Sequence, residues 1–189
     1  MISPLLANIV LNELDWELAN NGYLFVRYAD DFVILAKSTQ DIEKALILVE
    51  KILRSLGLEL SVEKTKCVSP NEHFDFLGFR ILKSLITIRP KSLEKFKDKV
   101  RRLTVRSNNL SNETITELNR VIRGTARYFA ADFSQVSAVF IKSDQWIRMR
   151  LRCMKKKRKS YSDNYIIPNK YFQRRGLLNL TDFICYEYK

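Results

Sequence analysis

The chain has 189 residues, 46% of them hydrophobic, and a formal net charge of +12. This is the composition of an ordered globular protein with room for one medium or two small domains, and it excludes a disordered polar chain. No run approaches the roughly 18 consecutive apolar residues of a membrane helix, and no secretory signal follows Met1. No membrane partner is expected, and the expected location is cytoplasmic.

Cys67, Cys153 and Cys185 lie far apart, no CxxC occurs, and His73 is the single histidine. That spacing offers no framework for a zinc site or a disulfide scaffold. The charge is uneven. Residues 1–89 hold 10 basic and 12 acidic residues, whereas residues 90–189 hold 23 and 9. A basic half is either the footprint of a polyanion, usually nucleic acid, or simply a soluble basic surface.

In chain order, Ser3-Pro4 predicts a helix start, with Ser as cap and Pro at the first helical position. Leu6, Ile9, Val10, Leu14 and Leu18 follow at helical spacing, and Asn20-Asn21-Gly22 stops the run. "YLFVRY" and "FVILAK" predict two buried strands forming a hairpin around Ala29, Asp30 and Asp31. "TQDIEKALILVEKILRSLG" predicts a helix capped by Thr39 and stopped by Gly57; "LELSVEKTKCVS" predicts one bent strand or two short ones. "FDFLGFRIL" and "ITIRP" predict a final pair of strands before Pro90. Three helices follow: "KSLEKFKDKVRRLTVR", one ending in "VIRGTARYFA" after a Ser/Asn cap region, and one from Phe133 to Arg158. The expected class is α+β: a strand-and-helix unit over 1–88, a helical unit over 89–160, and an aperiodic tail over 161–189.

The pair Asp30 and Asp31 needs an explanation, because aspartate is disfavoured in strands and adjacent carboxylates repel. A divalent cation removes the repulsion. Mg²⁺ prefers hard oxygen ligands and takes one or two carboxylates plus substrate phosphates. Two such ions about 4 Å apart can activate a hydroxyl and stabilise a leaving pyrophosphate. The other reading is a solvated hairpin turn, for which Asp is permissible chemistry, although neither Gly nor Asn stands there.

The order helix, strand, Asp-Asp turn, strand, helix, strand resembles the palm of a reverse transcriptase. "ISPLLANIVLNELD" is similar to the helix after the Pro-Gln-Gly stretch of group II intron reverse transcriptases, and "LFVRYADDFVIL" to their catalytic hairpin. "GLELSVEKTKCV" and "FDFLGFRI" resemble the next two motifs, the second being the primer grip. "LNRVIRGTARYF" resembles the maturase-specific thumb, and "NKYFQRRGLLNLTDF" the closing segment of members without an endonuclease domain. Six motifs in family order identify the chain as similar to the reverse transcriptase–maturases of these mobile introns.

The resemblance implies a partial palm of antiparallel strands packed on helices, followed by a helical thumb and maturase domain. It implies RNA-directed DNA polymerisation from deoxynucleoside triphosphates, on an RNA template with a DNA primer. The metal is Mg²⁺, with Mn²⁺ able to substitute. It further implies binding of group II intron RNA to assist splicing, in a cytoplasmic or nucleoid ribonucleoprotein or in an organelle. Asp30 and Asp31 become catalytic metal ligands; Tyr28 and Ala29 lie near the primer terminus and incoming nucleotide. Lys64 lies near the triphosphate, where a lysine neutralises charge developing on pyrophosphate; from sequence alone it is equally a solvated strand-end lysine. Phe76, Leu77, Gly78 and Phe79 become the primer grip, Gly78 allowing close approach of backbone to phosphate, or marking a bulged core strand.

In this family the fingers and the first palm strand, which bears a third catalytic carboxylate, come earlier than the point where this sequence starts. Asp15, Asp41 and Asp75 lack that strand context. The expectation is little or no polymerase activity alone: a non-catalytic RNA-binding remnant, or half of a split enzyme completed by fingers and palm in trans. An apolar palm face is expected to promote self-association.

In the basic half, Arg120, Arg123 and Arg127 share a helix face, and Arg101, Arg102 and Arg106 form a second cluster. Arg148, Arg150 and Arg152 with Lys155, Lys156, Lys157, Arg158 and Lys159 form a dense patch. All are expected to meet RNA phosphates, each contact adding a salt-dependent term. "KKKRK" read alone is also a localisation signal or a solvated helix end. Tyr128, Phe129, Trp146 and Tyr161 lie among the charges, where rings can stack on unpaired bases; a plain packing role is the expectation for most of them, with Tyr128 and Phe129 in the helical core.

Overall fold

Residues 2–69 and 71–184 are described by a computed structural model, in which eight α-helices accompany two small antiparallel sheets. The α+β class holds. The contacts divide the chain into two units, Met1–Val68 and Ser69–Lys189.

In the first unit the expected opening helix is two helices, α1 (Ser3–Val10) and α2 (Asn12–Asn20), separated at Leu11. Ser3 lies inside α1, not at its cap; Pro4 occupies the first turn as expected. Strands β1 (Leu24–Tyr28) and β2 (Asp31–Leu35) pair antiparallel, from Leu24 opposite Leu35 to Tyr28 opposite Asp31. The pairing leaves a two-residue loop, Ala29 and Asp30. Helix α3 (Thr39–Ser55) is capped by Ser38 and not Thr39: Ser38 is extended, and its hydroxyl accepts from the Asp41 amide at 3.1 Å. Gly57 ends the helix at φ +71°, with Leu58 N–H donating to Leu53 O and Gly57 N–H to Arg54 O, a Schellman motif.

Leu11, Leu14 and Leu18 pack with Val49, Ile52 and Leu53 of α3, and Phe25, Phe32 and Ile34 cover them from the hairpin. Each buried Leu or Val contributes about 1.5–3 kcal/mol. Strand period two puts Leu24, Val26, Tyr28 and Leu35 on the opposite face, where they are exposed. The strands expected to be buried are therefore buried on one face. Residues 58–68 form no strand. They add no third strand to the β1–β2 hairpin, whose sheet has two strands.

In the second unit three strands replace the expected two: β3 (Phe74–Phe76), β4 (Phe79–Leu82) and β5 (Leu85–Ile88), an antiparallel meander. "FDFLGFRIL" turns back on itself at Leu77 and Gly78, whose φ values of +47° and +83° meet the demand of a type I′ hairpin turn. Helices α4 (Pro90–Leu103), α5 (Asn112–Phe129) and α6 (Ser137–Lys156) follow. The expected Ser cap of α5 is Ser111, whose hydroxyl accepts from Thr114 N–H.

Phe79 and Ile88 share one core with Val100, Leu118, Ile122, Phe140 and Leu151. This is why the meander belongs to the helical unit, although the sequence pattern changes only at Pro90. The aperiodic tail adds α7 (Asp163–Ile166), α8 (Asn169–Arg174) and a 3₁₀ turn, Leu180–Phe183. Phe172 and Leu180 close the core. Cys185 and the residues after it lie outside the described chain. No helix among the described residues is long and apolar enough to cross a membrane.

Candidate functional site

Asp30 stands at the tip of the hairpin and Asp31 opens β2 on its outward face beside Tyr28; all three are exposed. Ala29 holds φ +55°, a left-handed conformation that costs a non-glycine residue roughly 1–2 kcal/mol. The loop is held by Arg27, which points to the helical side of β1. Its Nη1 donates to the Ala29 carbonyl at 2.8 Å and to Asn8 Oδ1 at 2.9 Å. Its Nε donates to Asp15 Oδ1 at 2.8 Å, and Nη2 closes the bidentate pair on Asp15 Oδ2. The Asp15 hydrogen bond raises the guanidinium pKa above its ordinary value. Arg27 thus ties the loop to α1 and α2 and gives nothing to Asp30 or Asp31. Neither carboxylate takes a hydrogen bond among the described residues, and Asp15 is consumed as a brace.

Sequence reading missed Arg27. The signal was present: an arginine two residues after Phe25 falls on the buried face of the strand and needs an acidic partner there. Arg27→Ala strips the partner from Asp15 while the Arg27 side chain is only 10% exposed. It is expected to cost about 2 kcal/mol, read by urea unfolding of the first unit. Adding Asp15→Ala is expected to cost little more, a coupling of about 1–2 kcal/mol in the double-mutant cycle.

Lys64 lies in an exposed turn, its amide bonded to Ser61 O, and not at a strand end. In the second unit Phe76, Leu77, Gly78 and Phe79 form the β3–β4 turn and its flanks. Tyr128 Oη donates to Leu77 O at 2.7 Å, and Arg89 N–H donates to Gly78 O at 3.0 Å. Gly78 is favoured by its φ of +83°; a Cβ there would sit 3.3 Å from Ser92 Oγ, a tight contact that a small shift of the serine relieves, and 3.5 Å from Phe129 Cζ, an ordinary one. Phe79 meets Tyr128, Phe129 and Phe133 with ring centroids 5.1–5.7 Å apart. Phe129 is in the core as expected. Tyr128 is not: it is 53% exposed and latches the turn through its hydroxyl.

The basic residues separate into two groups. Some spend their donors inside the protein. Arg150 donates to Thr104 Oγ1 at 2.6 Å and Thr104 O at 2.9 Å, closing the C-terminus of α4. Buried Arg152 donates to Ile167 O and Asn169 Oδ1, and burial lowers the pKa of both guanidiniums. Arg148 bonds Asn179. These three are structural ties and not an open phosphate patch. Lys155 donates to Tyr171 Oη at 2.6 Å, Lys157 to Ser107 O and Asn108 O, and Arg158 to Asp163. Arg101 pairs with Glu94 and Asp98, and Arg120 with Glu117, all at the exposed surface. Trp146 lies beneath the guanidiniums of Arg101 and Arg150. The second group, Arg102, Arg106, Arg123, Arg127, Lys156 and Lys159, is exposed and makes no hydrogen bond or ion pair among the described residues.

Residues 1–81 match the family model described as reverse transcriptase (RNA-dependent DNA polymerase). Residues 93–172 match the model for the group II intron maturase-specific domain. Among curated relatives, the Retron Ec86 reverse transcriptase of Escherichia coli is 28% identical over 52% of this chain and 32% of its own length. Protein YkfC of Escherichia coli (strain K12) is 31% identical over 44% of this chain and 31% of its own. The chain thus spans about a third of each relative it matches.

Proposed function

Because this chain belongs to the group II intron reverse transcriptase–maturases, we propose that it takes part in RNA-directed DNA synthesis through its Asp-Asp hairpin and binds intron RNA through its helical unit to assist splicing. The observation that carries the reading is the loop itself: two adjacent exposed carboxylates on a turn held by Arg27, inside the region matched to reverse transcriptases.

The donor set suits Mg²⁺, or Mn²⁺ in its place: hard oxygens, side by side, with coordination left for water and phosphate. Asp30 and Asp31 would hold it, and when bound it supplies charge stabilisation to phosphoryl transfer. Tyr28 and Ala29 line the approach to the incoming deoxynucleotide, Lys64 faces its triphosphate, and the turn 76–79 steadies the primer backbone. Residues 1–88 act as the palm portion, 89–160 as thumb and maturase region, and 161–189 as a closing tail, in a cytoplasmic or nucleoid intron ribonucleoprotein. The test is primer extension on an RNA template with the purified chain, Mg²⁺ and deoxynucleotides. Incorporation that chelation abolishes supports the reading.

A second reading is favoured by Arg102, Arg106, Arg123, Arg127, Lys156 and Lys159, all exposed within the region matched to the maturase-specific domain. In it the chain binds intron RNA without polymerising, or polymerises only with residues supplied in trans. Both readings require RNA binding. Arg123 and Arg127 are exposed and lie outside the buried face of α5, so Arg123→Gln with Arg127→Gln leaves the core intact. The pair is expected to weaken RNA binding similarly across sequences and to reduce the slope of log affinity against log salt by roughly 1–2. An unchanged slope would remove this face from the interface.

A further inference from the structure

Between α6 and the segment leading to α8 lies a cleft of about 740 Å³, within the range that encloses a small ligand. Its walls carry chemistry that the helical core does not use. Asp163 lines it, is 1% exposed, and has one oxygen committed: Arg158 Nη2 donates to Oδ1 at 3.2 Å. Asp163 Oδ2 is buried with no hydrogen-bond partner. A carboxylate oxygen out of water without a donor is costly and rare in a folded protein. Tyr161, 85% exposed, also lines the cleft, and Lys159 and Arg152 bring positive charge to it. Arg152 directs Nε and Nη2 to Ile167 and Asn169.

We propose that this cleft receives one unpaired, extruded nucleotide of an RNA, with its base against Tyr161, an N–H of its edge donating to Asp163 Oδ2, and its phosphate beside Lys159. The proposal rests on the RNA-binding reading above and adds a base pocket to it. Each part follows from an unmet need. The carboxylate oxygen lacks a donor, an exposed ring offers a stacking face, and a cation favours phosphate. The acceptor also sets a preference. Guanine, adenine and cytosine present an amino group at their edge. Uracil presents its N–H only between two carbonyl oxygens, which a carboxylate repels. The pocket therefore favours an amino-bearing base.

The experiment measures binding of the full chain to oligo(U) and to oligo(U) carrying one central guanosine. The guanosine is expected to tighten binding roughly fivefold, the worth of one hydrogen bond. Asp163→Asn, which keeps size and places an amide donor at the cleft, is expected to erase the preference while oligo(U) affinity stays. Tyr161→Ala, at an exposed position that folding does not need, is expected to weaken binding of the guanosine oligonucleotide about tenfold through lost stacking. Melting curves confirm that both variants are folded. Equal affinity for the two oligonucleotides, or a preference that survives Asp163→Asn, overturns the pocket while RNA binding stands. Failure to bind either oligonucleotide or structured intron RNA overturns both.

Discussion

Asp30→Ala is expected to lower Mg²⁺-dependent deoxynucleotide incorporation roughly a thousandfold, because a catalytic metal ion contributes several kcal/mol of charge stabilisation and each 1.4 kcal/mol is a factor of ten. The fold should not share the loss. Asp30 is exposed in a two-residue loop whose conformation is secured by Arg27 on the neighbouring carbonyl. Alanine there removes a carboxylate and no hydrogen bond among the described residues. RNA binding through the second unit should persist, and the melting curve should be unchanged. Arg27→Ala makes the contrasting case, lowering stability and incorporation together because the loop is released while both carboxylates remain. Primer extension and urea unfolding on the two variants separate the proposed ligand from the residue that positions its loop. Equal extension by the wild-type chain and Asp30→Ala would take the carboxylate out of the chemistry. RNA binding with no extension from either would favour the second reading, in which further residues come in trans.

The sequence carried the features whose signal is local. The hairpin was legible because two apolar runs flank a loop of three polar-tolerant residues. Helices α3 to α6 were legible because Gly57, Ser111 and the 3.6-residue apolar spacing are each read within one turn of chain. Features that depend on a partner far along the chain were not. The run of cations from Arg148 to Lys159 reads as one patch because sequence displays charge and not where donors go. In the fold, Arg150 closes a helix 46 residues upstream and Arg152 ties down Ile167. Residues 58–68 alternate well enough for a strand, but pairing is a property of neighbours that the alternation does not contain, and the first unit's sheet stops at two strands. The site divides in the same way. Asp30 and Asp31 announce themselves as an anomaly in a strand pair. Arg27 and Asp15, which aim the loop, look like ordinary surface charges until the period-two face is counted. Asp144 and Asp163, both buried, were invisible for want of any pattern around them.

Asp144→Ala is the largest stability loss expected in the second unit. Asp144 sits on α6 at 3% exposure and accepts from Leu180 N–H at 2.8 Å, Thr181 N–H at 3.2 Å and Thr181 Oγ1 at 3.0 Å. One side chain thus anchors the start of the 3₁₀ turn whose Leu180 completes the core. Removing it leaves two backbone donors without partners at about 1–3 kcal/mol each. The expected cost is about 3 kcal/mol, or roughly a 10 °C fall in the melting temperature of a unit this size. The pH dependence has a definite sign. Burial outweighs the three donors and raises the Asp144 carboxyl above its ordinary value. A folded-state pKa above the unfolded value of about 3.9 means that the folded unit takes up the proton first. This contribution is complete below the unfolded pKa and is lost as pH rises through the folded one. Asp75 behaves in the opposite sense: its hydrogen bond to Arg80 lowers its pKa, so its contribution is lost as pH falls through the folded value. The wild-type chain should therefore gain on Asp144→Asn, which cannot titrate, as pH is lowered from 7 toward 4 in urea-unfolding measurements. If the gap narrows over that range, the three donors hold Asp144 charged in the core, and its role is that of a buried anionic cap.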